Sequence, residues 1–77
     1  LLELHHVPYP AAVESLSPRE LDITRLIAQG LTNEEICQEL FLSLSTVKTH
    51  VGRIMNKLKV GNRVQIAVTY VDATRLK

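Results

Sequence analysis

The stretch Leu16-Ser17-Pro18-Arg19-Glu20-Leu21 carries four helix-start signals in six residues. Ser17 can cap the first turn, and Pro18 suits the first helical position, where its missing N–H costs nothing. Glu20 can return a hydrogen bond to the cap, and Leu16 can pack onto Leu21. Thr32-Asn33-Glu34-Glu35 repeats the capping box, and between the two lies Gly30, able to take the left-handed conformation that ends a helix. A chain punctuated this way folds as short helices. The predicted fold class is all-α, a four-helix bundle with a central helix-turn-helix.

Apolar spacing fills in the rest. Ile23 and Ile27 lie one turn apart in the first helix, and Ile36 and Leu40 form the buried stripe of the short second helix. Ser43 can cap a third helix reaching about Leu58, in which Val47, Val51, Ile54 and Leu58 share one face at 100° per residue. Ser45, Thr49, Gly52 and Asn56 then point away from the core, with Lys48 and Arg53 on the flanks. Val60-Gly61-Asn62 makes the next turn, and Asn62 with Gln65 can cap a fourth helix from Arg63 to about Ala73. That helix is apolar on two sides: Val64, Val68 and Val71 form one stripe, Ile66 and Tyr70 another. One stripe belongs to the core, and the other is either extra core or a contact with another chain.

Residues 1–15 show two prolines, Pro8 and Pro10, and no clear period, so they are expected to be a linker or N-terminal extension, with the domain spanning 16–77. At 77 residues there is room for one small domain and none for a multi-step enzyme. No apolar run approaches the roughly 18 residues a membrane span requires, so no membrane association is expected. One cysteine, Cys37, is read as a small packing group. The chain opens without methionine or a signal sequence, which suggests a cytoplasmic protein and a fragment of something longer.

The net charge of +1 conceals a split. Residues 1–39 hold seven acids and two bases; from Leu40 to Val71 there is no acid, only Lys48, Arg53, Lys57, Lys59 and Arg63. A basic second half points to a polyanion as partner. Two helices joined by a short turn, the second presenting small and basic residues outward, suit the DNA major groove. There Lys and Arg donate to guanine, Thr bonds bases or touches a thymine methyl, and Gly admits the backbone. The competing reading is a helical module that binds protein, for example by docking on RNA polymerase. Catalysis finds no support: there is no phosphate-binding glycine loop, no metal-spaced His/Cys set and no catalytic triad ordering. His5 and His6 with Glu3 make a poor ligand set, since adjacent residues of an extended segment point apart. His50 is read as packing or touching a phosphate. No cofactor, metal or small-molecule substrate is expected.

From Leu16 to Val68 the motifs LSPRE, LIAQGLTNEEI, STVKTHV and KLKVGNR, in that order, resemble the LuxR-type helix-turn-helix domain, the DNA-binding output domain of NarL/FixJ-type response regulators and of quorum-sensing regulators. The resemblance implies sequence-specific binding of double-stranded DNA and transcription regulation by a bacterial, cytoplasmic protein. It also implies a missing N-terminal domain, a phosphoacceptor receiver or else a ligand-binding sensor. Position by position, it implies that Lys48 and Thr49 reach base edges and that Gly52 and Arg53 contact bases or phosphates in the next turn. Thr32, Asn33, Ser45 and Thr46 would hold phosphates at helix starts, and Lys57 and Arg63 would complete the backbone grip. A homodimer through the fourth helix would use Val64, Val68 and Val71, leaving Ile66, Ala67 and Tyr70 to the core. Three departures from the family pattern stand out: Gly52, where a polar or basic residue is common; Thr24, where Leu is usual, together with Leu21, where a charged residue is common; and Cys37, in place of a small Ala.

Overall fold

The computed structural model describes residues 12–75. Among the described residues four helices of two turns or more follow one another, α1 (Pro18–Ala28), α2 (Asn33–Leu40), α3 (Leu44–Leu58) and α4 (Arg63–Arg75), and no strand occurs. The calls on His5, His6, Glu3, Pro8 and Pro10 fall outside the described residues.

The caps form as their residue types dictate. Ser17 Oγ accepts from the Glu20 amide at 3.2 Å while the Ser17 amide donates to Glu20 Oε1 at 2.8 Å. Thr32 and Glu35 repeat the pair at the same distances. At the end of α1, Gly30 takes φ +94°; its amide donates to the Ile27 carbonyl and the Leu31 amide to that of Leu26, which closes the helix in a Schellman motif. The ends of α2 and α3 carry no such signal. Phe41 ends α2 with φ 58° and Lys59 ends α3 with φ 59°, both left-handed without being glycine. At the start of α4 the Asn62 side chain accepts from the Gln65 amide at 2.9 Å, and the Gly61 amide donates to Gln65 Oε1 at 2.7 Å.

The core is built around Ile23, Ile36, Val47, Ile54 and Ile66, all fully buried. Helix α1 packs against α4 and α3, and α3 lies against α2 and α4, so α3 is the axis of the domain and only one of its faces reaches solvent. The core side of α4 differs from the stripe expected of it: Ile66 is buried, but Thr69 and Ala73 join it while Tyr70 is only half-buried. Positions 66, 69 and 73 follow helical spacing, and a threonine and an alanine did not register as a stripe. The segment expected to be linker carries a helical turn over residues 12–14, with Ala12, Val13 and Leu16 packed on the core. Ala12 and Leu16 are one turn apart, which gives the turn its apolar side.

Thr24, the unusual residue of α1, is fully buried and its Oγ1 has no hydrogen-bond partner. Valine has the same branched shape without the hydroxyl. Thr24→Val should therefore stabilise the domain by about 1 kcal/mol, since a buried unmatched hydroxyl costs roughly that much or more. The measurement is a urea titration, with a higher midpoint and an unchanged slope; a lower midpoint would mean that the hydroxyl is bonded in solution.

Candidate nucleic-acid interface

Helix α3 runs fifteen residues, and its buried positions Val47, Ile54 and Leu58 fix its rotation. Lys48, Thr49, Gly52, Arg53 and Asn56 are consequently exposed together on one face, with Ser45 at its leading end. The face is free of acids and built of short side chains flanked by two cations. Its glycine has no packing reason: a Cβ at Gly52 would meet nothing within 4 Å. Gly52 lies mid-helix, where glycine costs about 1 kcal/mol relative to alanine.

The leading end of α3 differs from that of α2. Helix α2 opens with Glu34 and Glu35, which offset the positive end of its dipole, whereas the first turn of α3 holds no acid. Ser43 caps α3 by accepting from the Thr46 amide at 3.2 Å, and Ser43 Oγ donates to Thr46 Oγ1 at 2.8 Å. The hydroxyl hydrogen of Thr46 is left over, next to first-turn amides that have no partner within the helix. Such a terminus attracts an anion.

The remaining residues singled out in the sequence are held elsewhere. Arg63 is half-buried; its Nη1 donates to Asn33 Oδ1 at 2.6 Å and its Nη2 to the Leu31 carbonyl. It thereby ties the start of α4 to the turn before α2, and presents Asn33 with its amide NH₂ unspent. Thr32 Oγ1 is engaged as the α2 cap. Lys57 lies two turns beyond Thr49, where its Nζ pairs with Glu20 Oε1 at 2.8 Å and reaches the Ser15 carbonyl at 3.5 Å. The structure thus gathers Ser45, Thr46, Lys48, Thr49, Gly52 and Arg53 on α3, links Thr32, Asn33 and Arg63 around the start of α2, and commits Lys57 to α1.

Glu20 is the residue that sequence reading missed as an ion-pair partner. Its part in the capping box was visible, but so was its place one turn ahead of Ile23 and Thr24 on the buried face of α1. Burial pushes its carboxyl up, but the Lys57 ammonium and the Ser17 amide and hydroxyl outweigh that, and its pKa lies below the ordinary glutamate value. A folded-state pKa below the unfolded one gives stability that is fully present above the unfolded value, roughly pH 4.3, and is lost as pH falls through the folded one. Lys57→Met leaves the carboxylate buried without its cation. The Lys57 side chain is 39% exposed, which discounts the pair, so the expected loss is about 1–2 kcal/mol at pH 7. Urea midpoints should show that difference shrinking once Glu20 is protonated; a difference independent of pH between 7 and 3 would contradict the pairing.

Among the described residues the exposed large apolar side chains are Phe41, Leu44 and three valines of α4. Val64, Val68 and Val71 are 70%, 52% and 44% exposed and lie at i, i+4 and i+7, a stripe on the side opposite Ile66. No helix among the described residues is long and apolar enough to cross a membrane.

Comparison with known proteins matches residues 14–70 to the luxR family of bacterial regulatory proteins. The transcriptional regulatory protein LiaR of Bacillus subtilis is 56% identical over 55 residues, covering 71% of this chain and 26% of LiaR. The nitrate/nitrite response regulator protein NarL of Escherichia coli K12 is 50% identical over 56 residues, 73% of this chain and 26% of NarL. A nitrate/nitrite response regulator homolog from Haemophilus influenzae is 40% identical over 75 residues, 97% of this chain and 35% of that protein. The chain spans about a third or less of the length of these relatives.

Proposed function

The chain belongs to the luxR family of bacterial regulatory proteins, and from that premise we propose that it binds double-stranded DNA through the exposed face of α3, as the output domain of a longer response regulator that controls transcription in the bacterial cytoplasm. The observation that carries this is the acid-free face of α3, with Lys48 and Arg53 flanking Thr49 and Gly52 and an open helix N-terminus at its leading end. The named relatives, response and transcriptional regulators of which this chain matches one part, support the output role.

In this reading Lys48, Thr49 and Arg53 meet base edges. Ser45, Thr46 and the first-turn amides of α3 meet phosphates, as do Thr32 and Asn33 at the start of α2. Lys57 and Arg63 hold the frame and reach phosphates only with the donors their internal partners leave free. DNA binding of this kind releases counterions, so affinity for a random-sequence duplex should fall linearly with salt on logarithmic axes. A gel-shift series from low to physiological salt tests it. Absence of binding at low salt, or affinity indifferent to salt, would overturn the proposal.

The Val64, Val68 and Val71 stripe supports a homodimer through α4, which would set two α3 helices on one duplex. Val68→Glu would bring a charge into that contact without disturbing the fold, because Val68 is half-exposed. Sedimentation with duplex DNA should then give the mass of one protomer per duplex where the parent gives two. A parent and variant that sediment alike would remove the dimer.

A further inference from the structure

On the α3 face, Thr49 has its hydroxyl hydrogen already spent. Its Oγ1 donates to the Ser45 carbonyl one turn back, at 2.9 Å. A threonine hydroxyl carries one hydrogen and two acceptor lone pairs, so with that hydrogen given to the helix backbone, Thr49 offers the groove only an acceptor and a methyl group. Guanine shows the major groove two acceptors, N7 and O6, and cannot be bonded by a group with no hydrogen to give. Thymine shows its C5-methyl, and the adenine paired with it shows the N6 amino donor; cytosine shows an amino donor too, at N4, but no methyl, so the methyl contact is what decides for thymine. The same face holds open space beside Thr49: Gly52 is one turn further along, at i+3, and the volume a Cβ would take is empty to 4 Å.

We propose that Thr49 is a thymine-selecting residue, its methyl packing on a thymine C5-methyl that projects toward the notch left by Gly52, while Lys48 and Arg53 supply the donors that guanine requires. The proposal rests on the reading of α3 as a major-groove helix. It divides the labour on that face by chemistry: cations for guanine at the flanks, an apolar and acceptor surface for an A·T pair in the middle. A glycine on an exposed helical face then has a role, since any larger residue would stand where the thymine methyl goes.

Selection from a random duplex library with the 77-residue chain and with Thr49→Ser identifies the base pair under Thr49 as the one whose preference changes between the two. The expected base there is thymine. Replacing that thymine by uracil deletes a single methyl and should weaken binding of the parent about three- to fivefold. Thr49→Ser, lacking the side-chain methyl, should bind thymine and uracil duplexes equally, and Thr49→Val, which keeps a methyl, should retain the difference. Gly52→Ala should raise the melting temperature and erase the thymine–uracil difference. Guanine at the affected position, no affected position, or equal binding of thymine and uracil by the parent would overturn the assignment of Thr49. Enrichment of no duplex at all would instead overturn the DNA-binding proposal on which it rests.

Discussion

Lys48→Ala should weaken binding to a selected duplex by roughly 10- to 100-fold, the effect of losing about 1–3 kcal/mol of base contact, while leaving the urea midpoint nearly unchanged. The two halves of that result follow from where the residue sits. Lys48 is exposed and makes no hydrogen bond or ion pair among the described residues, so its removal opens no cavity and strands no partner, and surface changes of that kind stay within about 0.5 kcal/mol. Its neighbour on the buried side, Val47, fixes the rotation that points Lys48 outward. Preference at the contacted base pair should relax along with affinity. Uniform weakening across all duplexes would make Lys48 a phosphate contact instead, and unchanged binding would remove α3 as the reading helix.

Ile54→Ala should act in the opposite way. Ile54 is fully buried on the inner face of α3, in the core shared with Ile23, Ile36 and Ile66. Truncating a buried isoleucine to alanine costs about 2–5 kcal/mol in lost burial and residual cavity. A domain of this size holds roughly 4–12 kcal/mol of stability in total. The variant should therefore lose a large part of its folding stability, seen as a sharp drop in urea midpoint, and DNA affinity should fall only as far as the folded population does. Adding saturating duplex should restore part of the melting temperature, because a ligand that binds only the folded state stabilises it. Lys48→Ala, in contrast, should gain less from duplex than the parent. The two variants together separate the face that reads from the face that holds.

Much of this was legible in the chain. The starts of α1 and α2 are written in Ser17-Pro18-Arg19-Glu20 and Thr32-Asn33-Glu34-Glu35, because a cap is a local device whose partners lie three residues apart. The rotation of α3 follows from Val47, Ile54 and Leu58, and with it the outward placement of Lys48, Thr49, Gly52 and Arg53. Contacts between distant positions were not legible. Lys57 and Glu20 are 37 residues apart and Arg63 and Asn33 are 30 apart, and no local pattern announces that a basic residue expected at a phosphate has an internal acceptor. Nor do Phe41 and Lys59 announce a left-handed helix end, since any residue can be held there when the packing on both sides is favourable enough. The two-sided α4 was visible as such, but Thr69 and Ala73 carry too little hydrophobicity to mark its inner face. What sequence resolves, then, is the position of the candidate interface; what structure adds is which of its hydrogen-bonding groups are still free among the described residues.

The account turns on α3 being the surface that meets DNA, and backbone amide shifts of the 77-residue chain titrated with a selected duplex test it most directly. The largest changes should fall on Ser43 to Asn56 at its exposed positions, with a second set at Thr32 and Asn33, and the core residues Ile23 and Ile66 should move little. Changes centred on Val64, Val68 and Val71 with α3 unaffected would contradict it.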